Sequence, residues 1–127
     1  MQGMDVVLCL TSALECLDLC TGYLNESQID VYSKTLLPYD NVNCFTLEDF
    51  DNLEIVEIAG LRCTSINQTV NDLLRNFDII DEQSFAQGLS DYYHLHGKSF
   101  AGLKIDPQYD EIFDKMKDWA IGFYNYR

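Results

Sequence analysis

The chain has 127 residues, about one domain, and its apolar fraction of 47% is enough for an ordinary core. Its 21 Asp and Glu residues oppose 8 Lys and Arg, giving a formal net charge of −13. Such a charge repels nucleic-acid phosphates and anionic membrane surfaces, so neither direct nucleic-acid binding nor membrane association is expected. We expect a single domain over residues 1–127, with residues 1–4 including additions ahead of a native start at Met4.

The chain shows no pattern of a membrane-spanning or secreted protein. Its longest apolar run is far short of the ~20 residues that a spanning helix needs, and no basic segment precedes that run. A cytoplasmic location is therefore expected. In that compartment the five cysteines, an odd number with mostly apolar neighbours, are predicted to be reduced core thiols. They are Cys9, Cys16, Cys20, Cys44 and Cys63.

The first half of the chain predicts one helix and several strands. Residues 5–10 are apolar and β-branched, which suits a buried strand or the lead-in to a helix. Ser12 and Glu15 form a capping box, so a helix is expected from about residue 12 to 21, ended by Gly22. Strands are predicted at residues 29–33, 41–47, 53–58 and 61–64. Gly60 accepts a positive φ, which indicates a tight hairpin between the last two strands.

The second half predicts helices. Ser65 and Gln68 form another capping box, followed by apolar residues on one helical face. Asp81 caps the next helix, in which Gly88 suggests close packing by a neighbour. Asp106 and Pro107 begin the last helix, whose Phe113 and Trp119 are expected to pack onto the body. The fold class is α/β (α+β): a small, mostly antiparallel sheet of three to five strands with helices packed on it.

Five carboxylates between residues 48 and 57 form the strongest local charge pattern. They are Glu48, Asp49, Asp51, Glu54 and Glu57. Three interpretations stay open: a solvated acidic loop, a surface that docks a basic protein, or a Mg²⁺ site for hydrolysis. A zinc set drawn from Cys16, Cys20, His94 and His96 is disfavoured because the spacing matches no zinc motif. We therefore expect no metal, no cofactor and no catalytic residue.

Tyrosine is abundant, with eight residues. Tyrosines either line the edges of a core or anchor a protein interface, because the ring buries a large area at low entropic cost. Candidate anchors for a partner are Tyr32 and Tyr39 near the acidic segment, and Tyr92 and Tyr93 on the third predicted helix.

The order of motifs resembles the AbiEi-type antitoxins of abortive-infection, type IV toxin–antitoxin systems. The matches are Ser12, Ala13 and Leu14 in the first motif, Ile29 and Val31 in the second, and Gly60, Thr64, Ser65, Thr69, Asp72, Leu73 and Leu74 in the third. Two features depart from the family: Asp18 replaces a glycine, and no winged helix-turn-helix is expected before Ser12. The resemblance implies the part of such a protein that meets its partner, a nucleotidyltransferase-like toxin.

These observations predict a non-catalytic, protein-binding antitoxin or immunity-type protein that neutralises a toxin in phage defence. The partner is expected to be a basic protein, contacted by the five carboxylates and the four tyrosines named above. One alternative is an acidic phage- or plasmid-encoded inhibitor that mimics nucleic acid and blocks a nuclease. The other is a metal-dependent hydrolase or nuclease that uses the carboxylates of residues 48–57.

Overall fold

A five-stranded sheet organises the protein. The computed structural model describes residues 6–19, 29–37 and 39–123. The strands are β1 (Val6–Leu8), β2 (Ile29–Ser33), β3 (Val42–Thr46), β4 (Ile55–Ile58) and β5 (Leu61–Thr64). Their spatial order is β3-β2-β1-β5-β4, so β1 is central and β3 and β4 are the two edges. The described residues also form four α-helices: α1 (Leu10–Cys16), α2 (Ile66–Arg75), α3 (Glu82–Leu95) and α4 (Asp110–Gly122).

The predicted α+β class and strand positions are confirmed, but the sheet is mixed rather than mostly antiparallel. The pairs β1–β2 and β4–β5 are antiparallel, whereas β1–β5 and β2–β3 are parallel. The predicted hairpin is present, with Ile58 opposite Leu61. Ala59 and Gly60 have φ values of 52° and 83°, the left-handed pair that matches a two-residue turn to the twist of its strands.

The first helix differs from its prediction at both ends. It begins at Leu10, after Cys9 as the N-cap, and Ser12 makes no cap because its hydroxyl accepts a hydrogen bond from the backbone N–H of Asp30 (2.8 Å). It ends at Cys16, followed by Asp18 with a φ of 64°, so the helix stops before the predicted terminator Gly22, which lies outside the described residues. A tertiary bond to β2 thus replaced the local capping box.

Only one of the two hydrogen bonds of the predicted capping box forms at the start of α2. The Ser65 hydroxyl accepts a hydrogen bond from the backbone N–H of Gln68 (3.2 Å). The Gln68 side chain does not return to Ser65: its amide oxygen accepts from the N–H of Glu54 (3.0 Å), and its amide nitrogen donates to Asp72 (3.0 Å). Gln68 therefore ties α2 to the chain entering β4 instead of closing the box.

Close packing at Gly88 confirms its predicted role in α3. A Cβ at this position would lie 2.8 Å from Cδ1 of the buried Leu14. The side chain of α1 thus occupies the space that any larger residue of α3 would need. Asp81 caps α3 as predicted, accepting from the N–H of Gln83 (3.1 Å).

The last helix is preceded by a short 3-10 turn, Pro107–Tyr109, for which Asp106 is the predicted cap. Phe113, Met116 and Ala120 of α4 are buried and join the main core. Trp119 is 38% exposed, so the prediction that it buries a large apolar area as Phe113 does is wrong. None of the helices that the structure describes is long and apolar enough to cross a membrane.

Asn71 of α2 fastens the segment that leads into α4. Its amide nitrogen donates to the carbonyls of Asn67 and Lys104, both at 2.8 Å, and its amide oxygen accepts from the N–H of Asp106 (2.8 Å). We expect Asn71→Ala to lower the free energy of unfolding by about 2 kcal/mol, since the three hydrogen bonds of this side chain are lost. Urea denaturation measures it, and Gln108→Ala, a contact local to the 3-10 turn, is the control. If Asn71→Ala lowers the free energy of unfolding no more than Gln108→Ala does, Asn71 does not fasten this segment to α2.

Candidate functional site

The acidic segment forms the connection from β3 to β4 and the start of β4 itself. Its five carboxylates, at residues 48, 49, 51, 54 and 57, are all exposed. Two local hydrogen bonds order the segment: the Asp49 carboxylate accepts from the N–H of Asp51 (3.0 Å), and the N–H of Leu53 donates to the carbonyl of Phe50 (3.0 Å). It is attached to the body through Phe50 and Leu53, which pack against the core. The structure therefore presents these five acids to solvent from a fixed backbone.

Two cations lie beside this acidic segment, one of which the local sequence did not indicate. Lys34 follows β2, and its ammonium lies 5.3 Å from the centre of the Phe50 ring. Arg62 of β5 is the register partner of Glu57 across the β4–β5 ladder. Five carboxylates thus face two cations, and the surface stays negative.

Exposed apolar side chains lie on the neighbouring connection between β2 and β3. Leu36 is 76% exposed and Tyr39 is 46% exposed, while Leu37 between them is buried. The contact of Lys34 with Phe50 joins this connection to the acidic segment. We call residues 34–37, 39 and 48–54 together the acidic face. It combines exposed carboxylates with the solvent-exposed side chains of Leu36 and Tyr39.

Of the four predicted tyrosine anchors, only Tyr39 is exposed. Tyr32 is buried, and its hydroxyl donates to Asp72 (2.8 Å), so its prediction as an anchor for a partner is wrong. Tyr92 is buried too: its hydroxyl donates to the carbonyl of Ala101 (2.7 Å). Tyr93 is half-buried, with its ring 4.9 Å from that of Phe100. Tyr92 and Tyr93 therefore hold the end of α3 to the following loop.

Tyr32 belongs to a buried polar network that joins β2 to α2. Oδ1 of Asp72 accepts from Arg75 (2.8 Å) and Gln68 (3.0 Å), while Oδ2 accepts from Tyr32. Burial raises the pKa of Asp72 above its ordinary value, although Tyr32 and the Arg75 guanidinium pull it back. Burial, followed by the charge of Asp72, raises the pKa of Tyr32. The network is fully satisfied, which is typical of a structural element.

A pair of buried threonines completes this structural region. The Thr69 hydroxyl donates to the carbonyl of Thr64 (3.2 Å). In the 2.6 Å hydrogen bond between the two hydroxyls, Thr64 is therefore the donor and Thr69 the acceptor. Thr64, Ser65, Thr69 and Asp72, which carry the antitoxin-like motif, therefore all fasten β5 and β2 to α2. Each of these four residues therefore has a structural role in this fold.

The structure also forms a groove that the sequence did not predict. It has a volume of about 590 Å³ and lies among β2, β3, the start of α1 and the connection between α2 and α3. Its polar side chains include Asp30, Asn43 and Asp81, and Ile79 and Ile80 supply apolar surface. Asp30 within the apolar strand "IDVYS" was the available signal, because an acid at such a position needs partners from neighbouring elements.

The cysteines that the structure describes carry free thiols. Cys9 and Cys63 are buried, while Cys16 and Cys44 are partly covered; Cys20 lies outside the described residues. Burial raises the pKa of Cys63 to about 12 and also raises that of Cys9, so both thiols stay protonated at neutral pH. Within residues 6–19, 29–37 and 39–123, no group of three or more His, Cys, Asp or Glu side chains is arranged to hold a metal ion.

A scan against protein-family models finds no match for this chain, and a search of curated proteins finds none either. The likeness to AbiEi-type antitoxins therefore rests on the motif residues, whose positions in the fold are given above. What the structure itself defines is a small α+β domain with a mixed sheet, an acidic face and a groove at the β3 edge.

Proposed function

We propose that the protein is a non-catalytic, cytoplasmic antitoxin or immunity-type protein that neutralises a basic protein partner by covering part of its surface. The observation that carries the proposal is the acidic face, which has exposed carboxylates on the β3–β4 connection and the exposed Leu36 and Tyr39 on the β2–β3 connection. Opposite charge across an interface speeds the encounter of two proteins, while buried apolar contacts hold them together. The motif resemblance supports a toxin as the partner.

The acidic face is suited to binding because its backbone is already fixed. Phe50 and Leu53 attach the β3–β4 connection to the core, and the N–H of Leu47 donates to the carbonyl of Ser33 (2.9 Å). A partner would therefore meet carboxylates that need little ordering on binding, which reduces the entropic cost of association. In this proposal Tyr39 replaces the buried Tyr32 as the aromatic anchor, with Leu36 beside it.

The partner is identified by affinity capture from the host, followed by mass spectrometry and reconstitution with the purified candidate. The proposal requires a basic protein that binds directly and loses its toxicity in cells when this chain is co-expressed. Capture of a nuclease whose binding is competed by duplex DNA would instead favour the nucleic-acid mimic. Turnover of a substrate by this chain alone would overturn the proposal.

Charge reversal on the acidic face tests the electrostatic part. We expect Glu48→Lys, Asp51→Lys and Glu54→Lys together to slow association with the partner by at least about tenfold at low salt, with a smaller change in dissociation. Asp49 is spared because its carboxylate stabilises the local turn. Surface-based kinetics at several salt concentrations provide the measurement.

The control reverses the same number of charges elsewhere, at the exposed residues Glu15, Glu111 and Asp118. Both variants carry the same net charge, so a difference between them isolates the position of the acids from their number. If the two variants slow association equally, the acidic face has no special role, and the carboxylates of residues 48–54 serve solubility alone.

A further inference from the structure

Strand β3 has an open edge within the described part of the chain. The N–H of Ile29 donates to the carbonyl of Asn41 (2.9 Å), and the N–H of Leu47 donates to that of Ser33 (2.9 Å). Since backbone groups alternate along a strand, residues 41, 43, 45 and 47 bond to β2, and Cys44 and Thr46 direct theirs away from it. β3 is the last strand of the sheet on this side. It thus offers the backbone of Cys44 and Thr46 to another strand.

The groove runs beside this open edge. Val42, Cys44 and Phe45 of β3 form one wall, and Ile79 and Ile80 from the α2–α3 connection form another. Ile79 is largely exposed although it lines the groove. They give the groove an apolar part, beside its polar side chains, next to an unpaired strand edge. At such an edge an added strand gains main-chain hydrogen bonds, and pockets receive its alternate side chains.

The negative charge of the groove indicates that an added strand would carry basic residues. Asp30 accepts from the Thr11 hydroxyl (2.9 Å) and the Asn43 amide (2.9 Å), both neutral donors. Asp81 likewise accepts from neutral groups, the N–H of Gln83 (3.1 Å) and the hydroxyl of Ser84 (2.8 Å). Each carboxylate oxygen therefore keeps an accepting lone pair, and no cation among the described residues neutralises either acid. An ammonium or guanidinium group would complement both.

We propose that the edge of β3 and the groove receive an extended, basic segment of the protein partner, which adds as a sixth strand. This deepens the proposed function and rests on it. The segment pairs with Cys44 and Thr46, places an apolar side chain against Ile79 and Ile80, and presents Lys or Arg to Asp30 and Asp81. Beyond Thr46 the chain continues directly into Glu48 and Asp49, so the segment's next basic residues meet the acidic face.

A synthetic probe tests this edge without the natural partner. The probe is a blocked heptapeptide of alternating Lys and Val, and its control is the same peptide with N-methyl groups on alternate residues, which keeps the charge and removes strand pairing. Binding is followed through amide chemical shifts of the isotope-labelled protein. We expect the first peptide to shift the signals of residues 42–46 and 79–81, and the methylated peptide to bind at least tenfold more weakly. Equal binding of both would overturn the proposal.

Thr46→Pro is the matched test in the protein. It removes an outward-facing N–H and so leaves the β2–β3 hydrogen bonds intact, which is how proline is tolerated at sheet edges. We expect it to weaken the Lys–Val peptide at least tenfold, whereas Thr46→Val, which keeps the backbone donor, leaves binding unchanged. Far-UV circular dichroism and thermal unfolding verify that both variants fold.

The groove carboxylates need their own variants. Asp30→Asn and Asp81→Asn keep an accepting oxygen and remove the charge; together they are expected to weaken the peptide at least fivefold. The exposed Glu82→Gln, next to Asp81, is the control and should leave the affinity unchanged. An equal effect of the control would mean that the peptide senses net charge only, which contradicts a specific groove.

The outcome for the natural partner separates this inference from the proposed function. A partner that is released by reversal of residues 48, 51 and 54 but is unaffected by Thr46→Pro would overturn strand addition and leave the antitoxin-type function standing. If no protein partner is neutralised while the peptide still binds at β3, the proposed function fails and the edge remains a peptide site.

Discussion

Phe113→Ala is expected to lower the free energy of unfolding by about 3–5 kcal/mol, a large share of the stability of a domain this size. The Phe113 ring is 7% exposed and meets the Phe100 ring edge-on, with centroids 6.0 Å apart. Its removal leaves a cavity where α4 meets the chain that follows α3. Urea or guanidinium denaturation of the two purified proteins gives the difference directly.

Trp119→Ala on the same helix is the matched comparison. Its side chain is larger but 38% exposed, so the space it leaves opens to water instead of forming a cavity. We expect a loss of about 1–2 kcal/mol. If Trp119→Ala costs as much as Phe113→Ala, the Trp119 ring is covered in solution and this expectation is wrong.

Asp72→Ala should be the most disruptive polar substitution, at about 2–4 kcal/mol. It leaves the buried Tyr32 hydroxyl without its acceptor and frees the amide of Gln68. Arg75 suffers less, because its side chain is half exposed and can turn to water. Asp72→Asn keeps the shape and an accepting oxygen, so its loss should be about half as large. Equal losses for the two substitutions would show that shape and hydrogen bonding matter less than charge.

The same position carries a pH dependence of known sign. Because burial raises the pKa of Asp72, the folded protein binds this proton more tightly than the unfolded chain does. This contribution to stability is therefore complete below the ordinary carboxyl pKa and is lost as pH rises through the raised value. Asp72→Asn does not titrate there, so its stability relative to the wild type should improve as pH rises above the ordinary carboxyl pKa. Parallel pH profiles for the two proteins would contradict the raised pKa.

Local patterns were enough to predict most elements of this fold. Ser65, Asp81 and Asp106 act as caps where the sequence places them, and the alternating residues 29–33 and 61–64 form strands. These features depend on neighbours within a few residues. Ser12 is where local patterns fail. Its hydroxyl accepts from the N–H of Asp30 on β2, and a local capping rule does not consider hydrogen bonds to a strand distant in sequence.

The candidate site was only partly predictable for the same reason. Exposure of the acids at residues 48–57 follows from their charge, and the structure has them exposed. Tyr32 was misassigned because its burial depends on Asp72, which lies on another element. The groove combines residues of α1, β2, β3 and the α2–α3 connection, and no local pattern in the sequence indicates that these elements meet.

The central position of β1 has a consequence for how the protein folds. Among the described strands, only β1 pairs with both the β2–β3 pair and the β4–β5 hairpin, through the partners Val7 with Tyr32 and Leu8 with Cys63. Until Leu8 meets Cys63, far along the chain, the sheet consists of two separate ribbons, each marginal by itself. The loop between Leu8 and Cys63 is long, so closing it costs conformational entropy before the β1–β5 contacts form, and this slows folding. Cooperative assembly of the whole sheet therefore depends on the pairing of the short strand β1 with both of its neighbours.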